Sequence, residues 1–344
     1  MKGTSVMRTV AAIALAIALA IVSASAASAQ DYYAGKTIRI TVPTNSLASG
    51  YGLYGHLAAT HLERFIPGKP SVAVSFMPGG SGLVALNHLY SVAPKDGTTV
   101  SVISQDIATD QARNKPGVRY DARRFSYIVR ATSNVPVHMV WHTANVSNFA
   151  ELRQREVVTG AVGAGGTHND LPRAMNVLLG AKWKIIGGYP GGNDVRIAME
   201  RGEVQAGISP ATLFNDQLKP WLDAGTVKVV VQYSDFRHAA LPKVPNVVEL
   251  ADNAEARAIL KFMVALSTIG RAFAGPPDMA PEALAILRKA VDAMLADETF
   301  LADAKKRGAD IEPMSGEKLA AYIGEIVATS PEIVARTNAI AEGK

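Results

Sequence analysis

The 344-residue chain carries 35 Lys and Arg against 30 Asp and Glu, a net charge of +5, and no cysteine. Without cysteine it can form no disulfide, thiol nucleophile or thiolate metal site. The basic residues are scattered among acids, as in Glu200-Arg201-Gly202-Glu203, which reads as solvated faces and argues against nucleic acid as a partner.

The chain opens with Lys2 and Arg8, an uncharged apolar run from Val10 to Val22, and the small-x-small site Ala27-Ser28-Ala29. This order reads as a secretory signal peptide over residues 1–29, cleaved before the fold begins. The alternative is a membrane anchor, for which the run is short of the roughly 20 residues a spanning helix needs. No cysteine is available for lipid attachment, so the exported mature protein is expected to be soluble. What remains is roughly 300 residues, enough for two domains of ordinary size.

Lys36–Pro43 predicts a strand, Thr44–Tyr51 a polar loop, and Leu53–Phe65 an amphipathic helix stopped by Pro67-Gly68. Ser71–Phe76 is a second strand, Met77–Gly82 a glycine turn, and Leu83–Ser91 a second helix. Thr98–Ile103 is a third strand that delivers Ser104, Gln105 and Asp106 at its carboxyl end. A strand at Val135–Trp141 and a short helix at Asn148–Gln154 follow. Val157–Ser209 then repeats strand, glycine loop and helix as βαβαβ, which implies parallel strands with right-handed crossovers. Val227–Val231 is a further strand. The apolar stretch Phe262–Ala274, which contains Arg271, reads as a core strand. Helices are expected at Pro281–Leu295, Phe300–Arg307 and Gly316–Thr329. No flexible linker separates the two α/β halves. The expected crossings lie near Ala131–Val135 and Val231–Ser234, giving one domain from residues 31–133 and 234–344 and a second from 134–233.

Open α/β sheets bind ligands at the carboxyl ends of their strands. Free helix-start amides favour an anion there, and glycine lets main chain approach closely. The candidate ligand residues are therefore Thr44, Asn45, Ser46, Ser49, Gly50, Tyr51, Ser81, Ser104 and Gln105 in the first half. In the second half they are Gly163, Gly165, Gly166, Thr167, His168, Asn169, Gly192 and Asn193. A small, anionic ligand is expected, held largely by main chain.

Sharper motifs compete with this reading. Gly50-Tyr51-Gly52-Leu53-Tyr54-Gly55 matches G-x-G-x-x-G, but no acid follows near Ser71–Met77, as a dinucleotide site would require. His138 and His142 are four apart in an expected strand, where that spacing does not converge, so no metal site is expected. Gly79-Gly80-Ser81-Gly82-Leu83 fails the nucleophile elbow, and Ser81 reads as a turn serine or helix cap. Thr167 and Asn169 could cap their helix, Asp106 could close its own loop, and Tyr54 could be core. No cofactor is expected.

The ordered segments Gly35–Ile40, Met77-Pro78-Gly79-Gly80-Ser81-Gly82, Val92–Thr98, Gly163–Asn169, Tyr189–Gly192 and Ala274-Gly275-Pro276-Pro277 resemble the Bug-type periplasmic solute receptors of tripartite tricarboxylate transporters. The resemblance implies a type II periplasmic binding protein fold, with loops of two domains closing on a carboxylate. It also implies a periplasmic location, partner membrane subunits and no catalysis; the protein is expected to act as a monomer. One departure stands out. Where relatives often carry Asp and Arg in the first glycine loop, this chain has Gly52 and His56. The alternatives are an exported α/β enzyme, such as a hydrolase using the same cleft, and a sensory receptor for a membrane kinase.

Overall fold

The computed structural model describes residues 32–47, 49–162, 166–211 and 218–344. The signal-peptide expectation over residues 1–29, and the candidates Gly163 and Gly165, lie outside the described residues.

The first group of elements is β1 (Thr37–Val42), α1 (Gly50–His61), β2 (Ser71–Phe76), α2 (Leu83–Ser91), β3 (Thr99–Ile103), α3 (Ile107–Ala112) and β4 (Ser126–Thr132). The second is β5 (Pro136–Trp141), α4 (Phe149–Leu152), β6 (Val157–Val162), α5 (Thr167–Leu179), β7 (Trp183–Tyr189), α6 (Gly192–Glu200), β8 (Ala206–Pro210), α7 (Lys219–Asp223) and β9 (Val227–Gln232). The chain ends with α8 (Ala254–Ile269), β10 (Arg271–Gly275), α9 (Pro281–Leu295), α10 (Glu298–Lys306), β11 (Met314–Ser315), α11 (Gly316–Val327) and α12 (Pro331–Glu342).

These strands form two sheets. The first has six strands in the order β11-β4-β10-β3-β1-β2, the second five in the order β7-β6-β8-β5-β9. β2, β1 and β3 run parallel, as do β7, β6 and β8. In both triads the loops at the carboxyl ends therefore open on one edge, where ligands of open α/β sheets bind. Every residue of β3 is buried, as a central strand covered on both faces demands. β2 is an edge strand and half-buried. The chain is thus a mixed α/β fold built on two sheets.

Helices cover both faces of each sheet. Ile38, Ile40 and Val42 of β1 point into one core with residues of α1 and α9. The opposite face packs against α2, α3 and α11. The second sheet buries Val140, Val157 and Ile208 against α5, and Val137 and Met139 against α6.

One expectation is corrected here. Phe262–Ile269 is the end of a helix, not part of a strand, and only Arg271–Gly275 is extended. α8 is buried on more than one side, so its sequence loses the polar stripe that marks a surface helix. Ile259, Leu260 and Met263 join the second sheet's core, while Phe262, Ala265 and Ile269 join the first sheet's. Gly270 then stops the helix at φ 55°, ψ −124°, a conformation that favours glycine. A Cβ there would meet Thr132 O at 2.1 Å.

Candidate functional site

The loops after β1, β2 and β3 converge above the first sheet. A side chain at Gly82 would meet Ser104 Cβ at 2.9 Å and Pro43 Cβ at 3.4 Å. The Gln105 amide donates to the Tyr51 hydroxyl at 3.1 Å. Burial pushes the Tyr51 phenol up, so it stays neutral and can both donate and accept.

Within the first loop the hydroxyls are already engaged. Ser49 is the N-cap of α1, its Oγ accepting from Gly52 N at 3.0 Å. The Thr44 and Ser49 hydroxyls lie 2.8 Å apart. Both also reach Ser46 O, at 3.2 and 2.8 Å. Asn45 and Ser46 are exposed. Gly50 begins α1, and the first turn of this helix contains no acid.

Ser104 is only 2 % exposed, and its Oγ accepts from Asp106 N at 3.3 Å. It therefore shapes the floor of the loop cluster from below. Burial raises the Asp106 carboxyl, with the neighbouring Asp110 adding to the shift. Ser81 has φ 56° inside the turn, and the helix cap is Gly82, which bonds through no side chain. Ser81 is thus a turn serine and not a cap.

The second sheet contributes the ends of β6 and β7. Gly166 is the N-cap of α5, without a side-chain bond, and Thr167 is the first helical residue. The capping role considered for Thr167 is therefore filled by glycine main chain. Asn169 is 5 % exposed and its Nδ2 donates to Val162 O at 3.4 Å. The Nδ1 of His168 is buried and has no hydrogen-bond partner among the described residues. Burial holds this imidazole below its ordinary pKa, so it is neutral. A Cβ on Gly192 would come 4.0 Å from His168 Cε1, which brings the two second-sheet loops together. Asn193 is exposed, and its Oδ1 accepts from Arg196 Nη2 at 2.7 Å.

Two expected bystanders behave as core. Tyr54 is 7 % exposed, and its hydroxyl donates to Asp310 O at 2.7 Å. His138 is fully buried, stacked on Trp183 at 3.8 Å and bonded to Thr159 Oγ1 and the Tyr233 hydroxyl. Among the described residues no cluster of His, Asp and Glu could hold a metal.

The residue that sequence reasoning missed is Arg271. It starts β10, which pairs antiparallel with β3 so that Ala272 faces Ile103. This puts Arg271 at the carboxyl edge of β3. Its Nη1 donates to Gln105 Oε1 at 2.7 Å, and its guanidinium carbon lies 4.6 Å from the Tyr51 ring centre. Gln105 Oε1 also accepts from Asn134 Nδ2 at 3.1 Å. Arginine carries only donors, so the amide oxygen must face it. The signal in the sequence was a lone charge within Phe262–Ala274, since arginine is seldom placed in a core run without a partner.

The Tripartite tricarboxylate transporter family receptor model matches residues 65–339. No curated protein matches the chain. Among solved structures, a TctC solute-binding protein from Polaromonas is similar over 91 % of this chain and 100 % of its own, with TM-score 0.69 and 17 % identity. A Rhodopseudomonas palustris protein solved with adipate is similar over 89 % of this chain and 98 % of its own, with TM-score 0.55 and 20 % identity. MatC from the same organism, with bound malate, is similar over 87 % of this chain and 99 % of its own, with TM-score 0.54 and 16 % identity. The chain belongs to the tripartite tricarboxylate transporter receptor family.

Proposed function

We propose that the protein is a periplasmic receptor that closes two domains around a small organic acid and delivers it to the membrane subunits of a tripartite transporter. Receptor function follows from the family; the acid is the further step. Two relatives of the same fold were solved with malate and with adipate. The single observation that carries the reading within this chain is the convergence of loops at the carboxyl ends of β1, β2 and β3, next to a helix start without acids. Such a place favours an anion.

The proposed domain boundaries fall at 133/134 and 233/234, with residues 31–133 and 234–344 against 134–233. The β4–β5 and β9–α8 connections would act as the hinge. A ligand favours closure only through contacts it makes better in the closed state. The first-sheet set would be Thr44, Asn45, Ser46, Ser49, Gly50, Tyr51, Ser81, Ser104 and Gln105. The second-sheet set would be Gly163, Gly165, Gly166, Thr167, His168, Asn169, Gly192 and Asn193. Export through a signal peptide over residues 1–29, action as a monomer and the absence of catalysis belong to the same reading. No helix among the described residues is long and apolar enough to cross a membrane.

A thermal-shift and calorimetric panel of malate, succinate, adipate, citrate, amino acids and aromatic acids tests it. A true ligand at 100-fold excess over its Kd adds about 2.7 kcal/mol of stability. Stabilisation by amino acids or neutral solutes, with none by the acids, would refute the carboxylate assignment.

A further inference from the structure

We infer that Arg271 is the residue that selects a carboxylate over a neutral ligand, by offering its Nε–Nη2 edge to one carboxylate of the bound acid. The inference rests on the receptor reading above and names the group that recognises the charge.

Two contacts hold the guanidinium. Nη1 is spent on Gln105 Oε1, and the plane lies over Tyr51. The cation–π contact and the hydrogen bond together fix the orientation of a side chain that is otherwise floppy. Among the described residues no carboxylate lies within ion-pair distance of it. Asp106 is near enough to feel its charge, as it feels Lys115 and Arg113, but burial raises its carboxyl and its side chain does not cap α3. A preorganised, half-buried guanidinium with no carboxylate bonded to it is an unusual expense for a fold.

The open edge is identified by Gly50. A Cβ at that position would fall 3.0 Å from both Nε and Nη2. Those two atoms form the side of the fork that takes a carboxylate in two parallel hydrogen bonds. Glycine at position 50 therefore leaves clear the edge that any other residue would crowd. The amides of Gly50 and Tyr51 begin α1 beside this edge, and no acid in the first turn competes. The loop hydroxyls of Thr44 and Ser49, by contrast, are turned inward on Ser46 O. Of the side chains gathered at this edge, the guanidinium is the one built to bind charge.

The test compares charge with shape. The tightest-binding acid from malate, succinate, adipate and citrate is measured by calorimetry against its neutral amide, for wild type, Arg271→Gln, Arg271→Lys and Gly50→Ala. The wild type should prefer the acid by at least about tenfold, the scale of one charge-assisted bidentate pair. Arg271→Gln should bring that ratio close to one. Arg271→Lys should keep part of it, and Gly50→Ala should reduce it. A purely structural role for Arg271 would weaken acid and amide alike, and a cooperative melt of each variant shows that the fold is intact. An Arg271→Gln variant that keeps the wild-type ratio overturns the inference and leaves the receptor reading standing. A wild type that binds none of the four acids overturns both.

Discussion

Ser267 Oγ donates to Tyr233 O at 2.8 Å, while Ser267 O accepts from Asn134 N at 2.9 Å. One residue of α8 thus holds both strand connections that pass between the two sheets. Ser267 is 1 % exposed and Tyr233 fully buried. Thr268 and Glu312 extend the clamp, bonding Asp235 and Ser133. Removing the hydroxyl leaves a buried carbonyl without its donor. Ser267→Ala is expected to cost about 1–3 kcal/mol. Urea melts should show a lower midpoint at an unchanged slope; an unaltered midpoint would mean that the bond contributes nothing.

Gly270 sets where α8 ends and where Arg271 begins. Its φ of 55° and the 2.1 Å approach of a built Cβ to Thr132 O leave no room for a side chain. Gly270→Ala is predicted to destabilise by at least about 1–3 kcal/mol, the usual cost of a backbone forced into a sparse region. It should also weaken acid binding more than its stability loss explains, because Arg271 is the next residue. Circular dichroism melts and calorimetry on the same preparation separate the two effects, and an alanine variant that binds as wild type does would break the link.

Gly52 lies in the first turn of α1 and donates its amide to the N-cap Ser49. By charge alone, an aspartate there would oppose an anion at the start of α1 by on the order of 1 kcal/mol. The packing points elsewhere. A Cβ at Gly52 would meet Ser46 O at 2.1 Å and Leu47 Cα at 2.7 Å. Any side chain must lift the loop that carries Thr44 and Ser46. Gly52→Ala and Gly52→Asp are therefore expected to weaken the native ligand to a similar degree. Loss with aspartate alone, abolished by salt, would restore the charge explanation.

Much of this fold is legible from hydrophobic period and punctuation. β1, β2 and α2 announce themselves because each has one buried face and a glycine or proline at its end. Pro281–Leu295 is read to the residue, since a proline starts it and its apolar stripe is clean. β4 is hidden by Arg130, a buried charge that donates to Thr268 O and Glu312 O. α8 is misread because two cores share it. The same fact hides Arg271. Its role depends on a helix ending at Gly270 and on a strand that joins β3 from far along the chain. No local pattern around residue 271 contains Gln105 or Tyr51. The glycine loops, in contrast, advertise their position at strand ends, although not which of their hydroxyls are already spent.

His138 sets a limit on acid stability. Its ring is sealed between Trp183, Thr159 and Tyr233. Burial, with a smaller contribution from His168, holds its pKa well below the ordinary value of 6.5. In the unfolded chain the ring takes up a proton near that ordinary value, while the folded ring does not. Stability from this group is therefore complete above pH about 6.5 and falls as the pH drops below it. The slope should approach 1.4 kcal/mol per pH unit from this one site, on the order of a single-proton linkage. His168, also held low by burial, adds to the same window. Replacing His138 by glutamine keeps polar atoms toward Thr159 and Tyr233 but removes the titration. The variant should be less stable at pH 8, because it loses the stacking on Trp183. Its stability should nonetheless decline less steeply between pH 6.5 and 5 than that of the wild type. Parallel slopes for the two proteins in urea melts across this range would show that His138 is not the group that titrates.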